Sequence, residues 1–168
     1  MMENFVIKGP MGKGLCMQTG GVHVAFATGT GVLVFLDLVT RIILHNAGVR
    51  PLGERFEEDF KFVFYISHQS LGETMGMDLC LKLMEMNKKL KIENFKLIVR
   101  LSEGKDGVYG AKQERWAKDI IRDQLIPYSG KLSKVWVCGP PILNQTFDMA
   151  LDQIRDELNL GKDQIEIM

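Results

Sequence analysis

A doubly wound α/β fold, with five parallel strands and helices on both faces of the sheet, is what this sequence predicts. Three observations carry the prediction. Short apolar runs alternate with longer helix-periodic segments across most of the chain. The runs show little polar alternation, as strands do when both sheet faces are covered. Hydrophobic residues make up 46% of 168, enough for the sizeable core of one domain.

The elements follow in order. Phe5-Val6-Ile7 reads as the end of a strand and GPMGKG, residues 9–14, as a connector. The doubled Met1-Met2, followed almost at once by strand-like residues, reads as a chain that starts in mid-structure. Residues 1–20 are therefore taken as an exit strand and linker, and residues 21–168 as the domain proper. Val22–Ala27 is a buried strand, and residues 32–47 form a helix. That helix is apolar almost all round at its start, which predicts burial on every side there. Phe60–Ser67 is the second strand, followed by a helix over 74–90 with Leu79, Leu83, Met86 and Leu90 facing inward. Phe95–Leu101 is the third strand and residues 112–125 the next helix. Lys134–Cys138 is the fourth strand. A helix over 142–158 then turns Leu143, Phe147, Ala150, Leu151 and Ile154 inward, and Gln164–Met168 is the last strand.

Composition excludes several classes. Lys+Arg and Asp+Glu balance at 21 each, so no global field recruits nucleic acid or an anionic membrane. The three cysteines, Cys16, Cys80 and Cys138, are far apart and odd in number. They fit a reducing compartment, such as the cytoplasmic face of a membrane, and no disulfide framework. His23, His45 and His68 have no nearby partners at metal-ligand spacing. The longest apolar run, Val32–Leu36, is far short of a membrane span. Cys16, Cys80, Trp116 and Trp136 read as packing residues, the ten methionines as core filler and His68 as a solvated loop residue.

In doubly wound sheets, ligands sit outside the carboxyl ends of the strands, where the strand order reverses. That rule singles out Thr28–Gly31, Ser67–Ser70, residues 102–110 and Cys138–Pro141. Gly29-Thr30-Gly31 lies between a strand and a helix. Unpaired N–H groups there carry roughly +0.5 of an elementary charge. Two residues without Cβ permit close approach, and Thr30 adds a hydroxyl donor. The segment suits a pyrophosphate; its bland alternative is a tight turn that packs helix on sheet. Val34 occupies the last place of a G-x-G-x-x-G, so the usual dinucleotide fingerprint is absent. Cys138-Gly139-Pro140-Pro141 makes a stiff ledge able to support a flat ring, or simply a rigid stop. The tract ending at Lys13-Gly14 is no P-loop, because Ile7 stands where its first glycine belongs and Gly14 where Ser or Thr would hold magnesium.

Together these segments resemble the pyridine-nucleotide domain of the ferredoxin–NADP reductase superfamily. Gly9-Pro10-Met11-Gly12 resembles the G-P-x-G that leaves the flavin barrel, Ala27-Thr28-Gly29-Thr30-Gly31 resembles A-G-G-T-G, and Cys138-Gly139-Pro140-Pro141 resembles C-G-P-P. Phe95-Lys96-Leu97 and Ile120–Leu125 look closest to the cytochrome b5 reductase branch. The resemblance implies a Rossmann-like domain in which Thr28, Gly29, Thr30 and Gly31 hold the pyrophosphate. Cys138, Gly139, Pro140 and Pro141 would orient the nicotinamide, with Cys138 beside the reacting carbon and forming no covalent bond. It also implies hydride transfer to FAD held by a separate flavin-binding domain, and a haem or iron–sulfur protein as a further electron acceptor. Three features depart from the family pattern: the barrel is missing, Val34 stands where Pro is usual, and Met168 where an aromatic is common.

Charge favours NADH over NADPH. A 2′-phosphate wants cationic partners, yet Ser67, His68, Gln69 and Ser70 follow the second strand, and Ser102 and Glu103 the third. Lys105 opposes this argument, and Tyr109 would flank the adenine. The second expectation is a nucleotide-binding sensor or assembly module without turnover; the third is a doubly wound domain that binds no nucleotide.

Overall fold

A computed structural model describes residues 14–49, 55–70, 74–102 and 115–168. The expected strand Phe5–Ile7 and most of the connector lie outside the described residues, as do Glu103, Lys105 and Tyr109.

Five strands form one sheet: β1 (Val22–Thr28), β2 (Lys61–His68), β3 (Phe95–Leu101), β4 (Leu132–Cys138) and β5 (Ile165–Ile167). Their spatial order is β3-β2-β1-β4-β5, and every pairing is parallel. The helices are α1 (Leu36–Asn46), α2 (Met77–Leu90), α3 (Lys118–Leu125) and α4 (Pro141–Ile154). The chain winds outward from β1 to β3, then returns to the far side of β1 for β4 and β5. The order therefore reverses between β1 and β4.

Alternate residues of each strand feed two cores. Ala25, Phe64, Ile66 and Trp136 pack beneath Leu38, Val39 and Ile42 of α1 and Cys80 and Leu83 of α2. On the other face, Phe26, Val63, Tyr65, Val135 and Val137 pack beneath Ile121 and Leu125 of α3 and Phe147, Leu151 and Ile154 of α4. Burial on both faces is why these strands read as continuous apolar runs.

Several elements differ from expectation. The first helix opens as a 3-10 segment, Gly29–Phe35, before α1 begins. Among the described residues, the continuous stretch Gly29–Asn46 is the one long and apolar enough by composition to cross a membrane. Its inner side, Val32, Phe35, Leu38, Val39 and Ile42, is packed in the core. The start of the stretch is not buried all round, since Leu33 is 51% exposed and Val34 42%. In α2 the inward side is Met77, Cys80, Leu83 and Asn87, while Leu90 is exposed. Residues 115–117 are not helical, and Ala117 is extended. Cys16 is exposed, not packed, whereas burial pushes the Cys80 thiol up to about 12.

Candidate functional site

The site grows from strand ends. In the register of the sheet, Thr28 of β1 lies beside Ser67 of β2, and Ala27 lies beside Cys138 of β4. Both candidate loops thus leave adjacent strands at the same edge, on either side of the reversal in strand order.

Gly29 adopts φ +58°, a left-handed conformation that favours glycine, and a Cβ built there would meet nothing within 4 Å among the described residues. Thr30 is exposed and no acidic residue sits in the first turn. The leading N–H groups of this helical stretch have no partner one turn earlier. Among the described residues, open space, leading N–H groups and no acidic residue in the first turn are features that an anion needs.

Gly31 has a different reason to be glycine. A Cβ on it would run into the Cys138 carbonyl, with the carbonyl carbon at 2.8 Å and Sγ at 3.1 Å. Its missing side chain makes room for the fourth strand, so for this glycine the packing alternative is the better account. Gly139 does the same in return: a Cβ there would meet Leu143 Cδ2 at 2.6 Å and Thr28 Cβ at 3.3 Å. The two loops are therefore in contact across the sheet edge. Thr28 caps the 3-10 segment with extended backbone but makes no side-chain cap bond, and among the described residues its buried Oγ1 has no hydrogen-bond partner.

Pro140 and Pro141 start α4, whose Leu143 and Asn144 N–H groups both donate to the Pro140 carbonyl, at 2.9 and 3.2 Å. A proline at the first helical position loses no bond. Burial raises the Cys138 thiol above its ordinary value, so the sulfur stays protonated near neutrality. That state suits packing against a ring and not nucleophilic attack. Ile142 stands out from this edge at 72% exposure.

Farther along the edge, His68 is the last residue of β2 and only 6% exposed, so it is not the solvated loop residue its polar neighbours imply. Its backbone carbonyl accepts the Ser102 N–H at 3.0 Å, extending the ladder beyond β3. Gln69 and Ser102 are exposed at this end. Ser67 is half-buried, and its hydroxyl accepts from Trp116 Nε1–H at 3.0 Å. Arg100 of β3, in register with Ser67, places its guanidinium 4.2 Å from the centre of the Trp116 ring. Sequence reasoning missed Trp116 and Arg100 here. Two signals pointed to them: an indole N–H needs a partner when buried, and an arginine inside FKLIVRL is rare in a buried strand. Among the described residues, no group of three His, Cys, Asp or Glu could hold a metal.

No protein-family model matches the chain, and no curated protein matches it in sequence. Solved structures do match in fold. The CS-b5R domains of human Ncb5or in its NAD+ form align over 95% of this chain and 39% of that one, with TM-score 0.68 and 15% identity. The cytochrome b5 reductase domain of Ulva prolifera nitrate reductase aligns over 89% of this chain and 49% of that one, with TM-score 0.61 and 13% identity. Flavohemoglobin from Malassezia yamatoensis, with bound FAD and heme, aligns over 92% of this chain and 33% of that one, with TM-score 0.53 and 19% identity. The chain thus spans less than half the length of each of these three structures. The chain shares the fold of these structures.

Proposed function

We propose that this chain is the pyridine-nucleotide-binding domain of a flavin-dependent oxidoreductase, positioning NADH for hydride transfer to FAD held by a separate domain. One observation carries the reading: the Gly29–Gly31 turn and the Cys138–Pro141 ledge touch, at the carboxyl edge where strand order reverses. A dinucleotide lying across that edge would meet backbone donors at Gly29 and Thr30 and a rigid, weakly polar ledge at Cys138 and Gly139.

The residues divide the work. Gly29 and Thr30 bind the diphosphate, with the open face of Gly29 allowing close approach. Gly31 keeps that turn tight against β4. Cys138, with its thiol protonated, packs against the nicotinamide and fixes its angle; Gly139 and the prolines keep the ledge from yielding. The nucleotide, when bound, supplies the hydride, and the protein supplies orientation. The flavin-binding domain, and an acceptor such as a haem or iron–sulfur protein beyond it, complete the route. The ledge itself favours this over a sensor module that grips only the diphosphate.

Calorimetric titration with NADH, NAD and NADPH tests the reading. Binding of NADH tighter than that of NADPH is expected. An absence of heat with all three at millimolar concentration would overturn it, and a preference for NADPH would overturn the cofactor choice.

A further inference from the structure

Ser67 offers more than a place at the strand end. Its hydroxyl has one hydrogen and two lone pairs. Trp116 Nε1–H occupies one lone pair at 3.0 Å, and among the described residues no acceptor takes the hydroxyl hydrogen. A half-buried serine in that state is biased toward donating.

Trp116 is itself held from several sides. Its ring meets Phe26 of β1 edge-on at 5.1 Å, Tyr65 of β2 at 5.8 Å and Phe147 of α4 at 5.3 Å, between centroids. The Arg100 guanidinium, on a residue 3% exposed, lies 4.2 Å from its centre. Three strands and a helix therefore fix the one polar atom of the indole, and through it the Ser67 oxygen. That is more apparatus than a lone surface serine needs. Ser67 is also in register with Thr28, whose loop opens on Gly29.

We infer that Trp116 is a positioning residue that fixes Ser67 as a hydrogen-bond donor to an oxygen on the adenosine half of the nucleotide. The inference rests on the nucleotide-binding reading above. A neutral donor of this kind reads a ribose or phosphate oxygen without requiring a cation.

ADP-ribose, which lacks the nicotinamide, is the probe. Calorimetric affinities are compared for the unaltered chain, Ser67→Ala, Trp116→Phe and the double variant, each checked by thermal unfolding. Either single change should weaken ADP-ribose about fivefold, the size of one lost hydrogen bond. The double variant should be no weaker than Ser67→Ala, because the indole N–H acts only through the hydroxyl. Trp116→Phe weakening binding equally in the Ser67→Ala background would show a merely structural ring and overturn the inference. So would unchanged affinity in both single variants. Should Trp116→Phe not fold, tryptophan emission excited at 295 nm gives the second readout, with the fully buried Trp136 as a constant background. ADP-ribose should shift it in the unaltered chain and not in Ser67→Ala; an equal shift in both overturns the inference. An unaltered chain that binds neither ADP-ribose nor NADH removes the nucleotide reading itself, and binding of NADH with no dependence on Ser67 removes only this step.

Discussion

The two edges of the sheet are built from the same parallel strands and do opposite things. At the amino edge several polar groups answer one another. Asn46 at the end of α1, Asn87 in α2 and Asn94 ahead of β3 close a ring of hydrogen bonds of 2.7–3.1 Å. His23 lies between Phe60 and Trp136, accepting from the Gln18 N–H, and Lys134 Nζ donates to the Asp163 carbonyl at 2.7 Å. At the carboxyl edge, by contrast, Gly29 faces open space among the described residues, and none of them takes the Ser67 hydroxyl hydrogen. Helix direction explains the asymmetry. Parallel crossovers put every helix C-terminus at the amino edge, where asparagines satisfy one another, and every N-terminus, with its unpaired donors, at the other. One edge is closed for stability, and the other is left able to bind.

The contrast can be broken most forcefully at Gly31, where the carboxyl edge touches its own scaffold. Gly31→Ala drives a Cβ into the Cys138 carbonyl and should cost about 3 kcal/mol in urea unfolding. An unchanged midpoint would mean that the two loops are not in contact. The amino edge should carry most of the acid sensitivity. Burial lowers His23 to about 4 against a weaker opposing pull from the Gly21 carbonyl and Asp59. The folded state thus keeps the ring neutral while the unfolded chain takes up a proton below 6.5. This contribution is complete above pH 6.5 and is lost as pH falls toward 4, reaching about 3 kcal/mol. Unfolding of His23→Leu across that window should show a flatter slope; an equal slope would assign the effect elsewhere.

Smaller changes sharpen the division. Asn87→Ala opens the asparagine ring and leaves buried amides unpaired, at about 2 kcal/mol. NADH affinity measured by calorimetry should stay the same, because the ring lies at the far edge; a parallel loss of affinity would argue against two independent edges. Gly29→Ala reverses the pattern. Its positive φ costs about 1 kcal/mol of stability, while the added methyl should weaken NADH about tenfold by obstructing the approach to the diphosphate. Retained affinity would take the diphosphate away from Gly29.

Legibility in the sequence followed the kind of force involved. Strands were plain because a strand covered on both faces must be apolar without a break; β3 came out as read, and the other strands differ at their ends by at most a few residues. The two loops were legible because glycines and prolines constrain backbone wherever they occur. The 3-10 opening of the first helix was not, since its residues would suit an α-helix equally well. The inward side of α2 slipped to Cys80 and Asn87 because Asn87 is buried by partners on other elements, which no helical period records. His68 looked solvated beside Gln69 and Ser70, yet one further residue of strand pulled it inside.

The sequence by itself determined that this is a parallel α/β domain with turn chemistry after its first and fourth strands, because local apolar patterning and backbone stereochemistry are properties of neighbours in the chain. The tertiary structure alone decided that β4 returns to lie beside β1, that Gly31 lies close against Cys138, and that Trp116 reaches Ser67. Those outcomes depend on which distant surfaces bury each other, and that free energy belongs to contacts between elements and not to any stretch read alone.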